Sequence, residues 1–178
     1  FAEYFQDKSK EENALMLFNT GYVFYNSFKD YDRAEKYLRL SIKSALEFKT
    51  RVYILNGYGW LSRMFYDGKN DVKKAQEILQ EGFIATGSSV FKYKIGALSV
   101  ESGKGLDLGI DCLEYFLSHP VTTYPETERY TKAGAYLLLA KCYHKKKQII
   151  KAREFLEKSL NLDSSYEAAI KFRSEINM

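Results

Sequence analysis

KAREFLEKSLNLDSSYEAA, residues 151–169, reads as an amphipathic helix, a stop, and the start of another helix. Ala152, Leu156 and Ser159 follow one another at steps of four and three, so all three lie on one helical face. A helix resting on a uniform core has no need of a small residue on each side of a large one. A helix that admits a neighbour closely at two fixed points, and fills the gap between them with one large side chain, does.

The same small–large–small face recurs along the chain. DYDRAEKYLRLSI (30–42) carries Ala34, Leu38 and Ser41; DVKKAQEILQEGF (71–83) carries Ala75, Leu79 and Gly82; LDLGIDCLEYFL (106–117) carries Gly109 and Leu113 but departs from the pattern at its last position, the large Phe116. Ahead of each lies a second amphipathic stretch with a large residue, a small one four on, and a large one three further. These are Leu17/Gly21/Phe24, Tyr58/Ser62/Phe65, Tyr93/Ala97/Val100 and Tyr136/Ala140/Tyr143. Turn-forming segments join the two: NSFKDYD (26–32), YDGKND (66–71), SGKGLD (102–107) and HKKKQ (144–148). The small residues 21, 62, 97 and 140 are spaced by 41, 35 and 43 residues. Two helices per period of this size predict stacked helical hairpins that share their core with their neighbours.

Bulk properties agree. The chain has 178 residues, 46% hydrophobic and 28% charged, in the range of a globular protein with a substantial core. Only 2 prolines interrupt it, which favours helices. The 15 Tyr and 12 Phe suit a thin fold in which rings fill each layer. The net charge of +4 comes from interleaved Lys and Glu, the pattern of a solvated surface rather than a nucleic-acid footprint. The longest apolar run, AGAYLLLA (133–140), is far shorter than the ~20 residues of a membrane span.

Taken with its spacing, AYLLLAKCY (135–143) followed by IIKAREFLEKSLNLDSSYEAA (149–169) resembles the tetratricopeptide repeat family. Tyr136, Leu139, Ala140, Tyr143, Ala152, Leu156 and Ser159 fall on that family's pattern. The resemblance extends over about residues 14–165. It implies an all-α fold, an α-solenoid wound as a right-handed superhelix. The expected units are 14–48, 54–87, 90–119 and 132–163 within a single domain 1–178, closed by a capping helix at 165–177 with Ser164 or Ser165 as its N-cap. Units one and two carry one extra residue between the helices (Phe24 to Ala34, Phe65 to Ala75), so GYGWLSRMFYDGKNDVKKAQEIL (57–79) is similar to the longer, Sel1-like relatives. SHPVTTYPETERY (118–130), holding both prolines, accounts for the longest step. FAEYFQDKSKEEN (1–13) is expected to begin the first helix or a partial unit before it.

No constellation for chemistry emerges. Cys112 and His119 are seven residues apart on one helix, with no third partner or oxyanion loop beside them. Cys112 and Cys142 read as buried thiols rather than a disulfide. Two scattered histidines and no CxxC offer no metal site. SGKGLDLG (102–109) lacks the order of a phosphate-binding loop. Trp60 reads as core or groove wall. No catalytic residue, metal or cofactor is expected.

The resemblance implies that first helices line a concave groove. The positions facing it would be Phe18, Tyr22, Tyr25 and Asn26 in unit one, Arg63 and Tyr66 in unit two, Lys94 and Glu101 in unit three, and Lys141 and His144 in unit four. Rings take apolar anchors, Asn pairs with backbone, and Arg or Lys holds a carboxylate, so the set suits a protein or peptide segment. Relatives that capture acidic chaperone tails use a Lys/Asn set. Phe18, Tyr22, Gly59, Arg63, Lys94 and Leu98 do not reproduce it. The expected role is a non-catalytic protein-binding scaffold or adaptor. One rival is an accessory domain that recruits substrate to a larger enzyme or transport assembly. Another is RNA reading by helical repeats, disfavoured because Tyr22, Arg63, Leu98 and Lys141 form no basic code. Homo-oligomerisation by end stacking is a further expectation. A cytoplasmic location is expected; a leader removed ahead of Phe1, which is not Met, would allow a periplasmic or secreted one.

Overall fold

Side-chain oxygens start three of the helices. Asp30 Oδ1 accepts from the Arg33 amide at 3.0 Å, Asp71 Oδ1 from the Lys74 amide at 2.9 Å, and Thr131 Oγ1 from the Gly134 amide at 2.9 Å. Each satisfies an amide that the first helical turn leaves without a carbonyl. The computed structural model describes the backbone of residues 2–122 and 126–176, and the side chains of residues 12–122 and 128–176.

The elements are α1 (Ala2–Val23), α2 (Tyr31–Glu47), α3 (Arg51–Arg63), α4 (Val72–Thr86), α5 (Val90–Ser102), α6 (Leu106–Ser118), the short α7 (Glu126–Arg129), α8 (Lys132–Lys145), α9 (Ile149–Leu162) and α10 (Glu167–Ile176). The described residues form an all-α helical repeat, without strands, in which consecutive helices pack as pairs. The hairpins are α1/α2, α5/α6 and α8/α9, with α10 on the last, and α3/α4, joined by a hydrogen bond from Ser62 to the Ala75 carbonyl. The chain divides into two compact units, Phe1–Gly82 and Phe83–Met178. Pro125 and Asn177 lie outside the described residues.

The extra residue of units one and two is absorbed as a π-helical turn. Phe24–Phe28 continues α1 and Met64–Gly68 continues α3. The Asp30 amide reaches back six residues to the Phe24 carbonyl at 3.0 Å, and the Asp71 amide to the Phe65 carbonyl at 2.8 Å. In the fourth hairpin the matching bond, from the Gln148 amide to the Tyr143 carbonyl at 2.9 Å, spans five. Widening one turn takes up the added residue while keeping these carbonyls bonded.

The small residues do what their spacing implied. Ala34, Leu38 and Ser41 are buried, as are Ala75, Leu79 and Gly82, Gly109, Leu113 and Phe116, and Ala152, Leu156 and Ser159. A methyl group on Gly21 would stand 3.0 Å from the Leu38 amide nitrogen, so α1 and α2 touch backbone to backbone there. Serine does more than stay small. Ser41 Oγ donates to the Ala14 carbonyl and Ser159 Oγ to the Ala133 carbonyl, both at 2.8 Å, while Ser62 Oγ donates to the Ala75 carbonyl at 2.9 Å. These buried bonds pin the two helices of a hairpin in register. Ser159→Ala keeps the volume and loses the bond; a cost of ~1 kcal/mol is expected, read as a lower urea midpoint with an unchanged slope.

The third hairpin corrects the sequence reading. Its close approach falls at Gly96, not Ala97: a Cβ on Gly96 would lie within 2.8 Å of three Leu113 side-chain atoms, and Ala97 is only half-buried. Gly103 and Gly105, both left-handed at φ 68° and 63°, reverse the chain between α5 and α6. With Gly96 as its small residue, the third hairpin has the same 13-residue step to Gly109 that Gly21 has to Ala34. The Ser cap expected for α10 is also replaced. Asp163 Oδ1 accepts from the Ser165 amide at 3.0 Å and from Ser165 Oγ at 2.7 Å, so the serine donates rather than caps.

Candidate functional site

In the unit Phe1–Gly82 the first helices α1 and α3 share a run of rings. Phe18 lies 6.4 Å from Tyr53, Tyr22 meets Trp60 edge-on at 4.7 Å, and Tyr25 sits 5.9 Å from the same indole. Phe18, Tyr22, Tyr53, Trp60 and Tyr66 are half-buried, so each keeps part of its ring in water. Tyr25 is buried and forms a wall rather than an open contact. Its hydroxyl donates to Asp67 Oδ2 at 3.3 Å; burial, and then the Asp67 charge, push the phenol above its usual range. Arg63 Nε also donates to Asp67, and its guanidinium covers the Tyr66 ring at 5.4 Å. Asn26 is exposed in the π-helical turn. Of the six groove residues expected in this unit, Tyr22 and Tyr25 meet Trp60, which the sequence had left as core or groove wall, and Phe18 meets Tyr53. Arg63 and Tyr66 pair beside Asp67, while Asn26 stands exposed with no ring contact among the described residues. Tyr53 belongs to the same run of rings. It stands five residues before Tyr58, where the repeated pattern of α3 begins, so no spacing rule points to it.

The unit Phe83–Met178 treats its expected residues differently. Lys141 lies over the Phe172 ring at 5.6 Å and His144 meets it edge-on at 5.5 Å, so α10 covers both. Glu101 is exposed. Lys94 is drawn under Tyr130, with its Nζ 5.8 Å from the ring centroid. The one-residue shift at Gly96 explains this: Tyr93, Ala97 and Val100 take the positions that Phe18, Tyr22 and Tyr25 hold in the first hairpin. Tyr93 packs edge-on against Phe116 at 5.1 Å and against Tyr130 at 5.3 Å, and Leu98 is buried.

Helix α8 is lined on two sides. Leu137 and Ala140 join Ala152, Leu156, Leu160, Ala169, Phe172 and Ile176, while Ala135, Leu139 and Cys142 join Ile110, Leu113 and Phe116. A first helix that packs on its own partner and on the preceding hairpin buries both flanks, the arrangement a stacked repeat requires. Residues 133–166 match the tetratricopeptide repeat family model. The match falls on the hairpin whose sequence follows the pattern best, and it stops short of the two hairpins with π-helical turns, where Sel1-like character was expected. The tetratricopeptide hairpin is generally non-catalytic and points to protein partners. No curated protein matches the chain.

Among the described residues, no three His, Cys, Asp or Glu side chains stand close enough to hold a metal ion, and no helix is long and apolar enough to cross a membrane. Cys112 and Cys142 are free thiols, both buried. Burial pushes the Cys142 thiol from 9.0 up to about 12, and raises Cys112 in the same direction. The folded chain thus holds these protons to higher pH than the unfolded chain does. The stability they represent is present below about pH 9 and is lost as pH climbs toward 12. The urea midpoint is expected to fall as pH rises above about 8.5, the ordinary thiol value, less steeply in Cys142→Ala, and Ellman's reagent to react with neither thiol until the protein unfolds.

Proposed function

We propose that the protein is a non-catalytic binding module that takes a peptide or an extended protein segment on the α1/α3 face of the unit Phe1–Gly82. One observation carries the reading: Phe18, Tyr22, Tyr53 and Trp60 form a half-buried aromatic strip that the unit's own core does not cover. Such rings are costly to leave wet and lose little conformational entropy when a partner covers them, which is why aromatic residues dominate binding hot spots. Arg63 beside Asp67, and the exposed Asn26 of the π-helical turn that follows α1, supply polar groups that can fix a backbone in place.

The test is a selection of peptides from a random library on the immobilised protein, followed by affinity measurement against a Tyr22→Ala/Arg63→Ala double variant whose helical content matches the wild type. Loss of a hot-spot pair is expected to weaken enriched peptides roughly 30-fold or more. Peptides that bind the double variant with wild-type affinity would place recognition elsewhere and end this reading.

A further inference from the structure

Helix α1 has a second flank, which its own unit leaves open. Met16 is 62% exposed and Val23 43%, with the half-buried Thr20 between them. Steps of four and three put these three residues on one helical face. At about 100° per residue, that face stands roughly 200° around α1 from Phe18 and Tyr22, away from the aromatic strip. Thr20 Oγ1 donates to the Met16 carbonyl at 2.8 Å, so its hydroxyl is already bonded within α1. A depression of about 540 Å³ on this side is lined by residues of the stretch 12–24, these three among them.

The other first helices give this flank its meaning. Met16, Thr20 and Val23 stand five before, one before and two after the small residue Gly21. The same positions are Gly57, Leu61 and Met64 around Ser62, and Ala135, Leu139 and Cys142 around Ala140; all six are buried. In α5, around Gly96, they are Phe91, Ile95 and Leu98, buried as well. In each unit a second helix does the covering. Ile42 of α2 lies so close to Gly57 that a Cβ there would stand 2.6 Å from it, and Ile110, Leu113 and Phe116 of α6 pack on Ala135, Leu139 and Cys142. Helix α1 carries the same three positions, and among the described residues no second helix lies on them. The backbone ahead of Glu12 continues α1 itself, and a helix does not fold back over its own side.

A segment that settles here must hide apolar side chains without leaving its own backbone unbonded. An extended strand would press its amides against Met16 and Val23, whereas a helix bonds them internally. The second helices α2 and α6 of this chain already cover α3 and α8, and α10 exposes the charged Glu167, Lys171 and Glu175. We infer that the Met16–Thr20–Val23 flank is a docking site for an amphipathic helix of a partner protein, laid on α1 as α6 lies on α8. The partner helix carries large aliphatic or aromatic side chains at steps of three or four, as Ile110, Leu113 and Phe116 do on α6. The site is separate from the aromatic strip and uses none of Phe18, Tyr22 or Arg63.

The probe is a displayed library of helical peptides patterned on α2 (31–47), its apolar positions varied among Ala, Val, Ile, Leu, Met and Phe, and selected on the full chain. A matched library with those positions limited to Ser, Thr and Gln is the control. Enriched peptides are expected from the first library and none from the control, with saturable shifts of the Met16 and Val23 methyl signals by NMR. A Met16→Lys/Val23→Lys variant is expected to weaken these peptides roughly 30-fold. Both positions are exposed, so its circular dichroism should match the wild type. Tyr22→Ala/Arg63→Ala is expected to leave the affinity unchanged, which separates this test from that of the aromatic strip. A selection that enriches nothing, or wild-type affinity in the lysine variant, would overturn the inference. So would a concentration-dependent dimer of the chain alone, seen by sedimentation and abolished by the same two lysines, because it would give the flank to a second copy.

Discussion

Gly96→Val is expected to destabilise the unit Phe83–Met178 by about 3 kcal/mol, the upper range of overpacking costs. The first added carbon would already lie within 2.8 Å of three atoms of Leu113, a residue with no exposed surface and no room to retreat. Helix propensity works the other way, since Gly in a helix interior costs ~1 kcal/mol against Ala. Steric overlap wins because it is set by a fully buried neighbour. Gly96→Ala is therefore still destabilising, though by less. Leu113→Ala alone costs about 2–5 kcal/mol through its cavity. The Gly96→Ala/Leu113→Ala pair is expected to cost clearly less than the sum of the two, because each substitution relieves what the other creates. Urea denaturation of the four proteins measures this coupling. Strict additivity would mean that α5 and α6 do not cross at this point.

Phe172→Ala is the second large effect, about 3–5 kcal/mol from a buried ring. Its loss is expected to stay local. Phe172 sits with Ala169 and Ile176 against α8 and α9, under Lys141 and His144. In a repeat, each element answers mainly to its neighbours. Amide exchange should speed up in α10 and in the turn after His144, while α1 and α2 keep wild-type protection. Faster exchange spread evenly over the chain would contradict a repeat organisation and point to one cooperative core.

The hairpins were legible because their cause is local. A face with Ala152, Leu156 and Ser159 at steps of four and three can only belong to a helix that a neighbour crosses closely, and the pattern repeats often enough to be counted. Even the added residue of units one and two could be counted from Phe24 to Ala34. Its form could not. Whether an extra residue becomes a looser loop or a π-helical turn depends on which carbonyls the Asp30 and Asp71 amides can reach once both helices are in place.

The third hairpin shows where a pattern misleads. Gly96 and Ala97 are adjacent, both small, and either satisfies a spacing rule. Only Leu113, arriving from α6, selects Gly96. That one-residue choice turns Lys94 toward the connector and hands its expected place to Tyr93. The partners of the candidate sites were hidden for the same reason. Trp60 meets Tyr22 across 38 residues and Tyr130 meets Lys94 across 36, contacts that no periodicity encodes.

Helix type, helix pairing and the number of hairpins thus follow from the order of large and small side chains alone, because backbone hydrogen bonding and close crossing act over a few residues. The neighbours of each ring and each cation were decided only when separate helices packed. Side-chain contact between distant segments depends on rotation about each helix axis, and a shift of a single residue rotates that axis by about 100°.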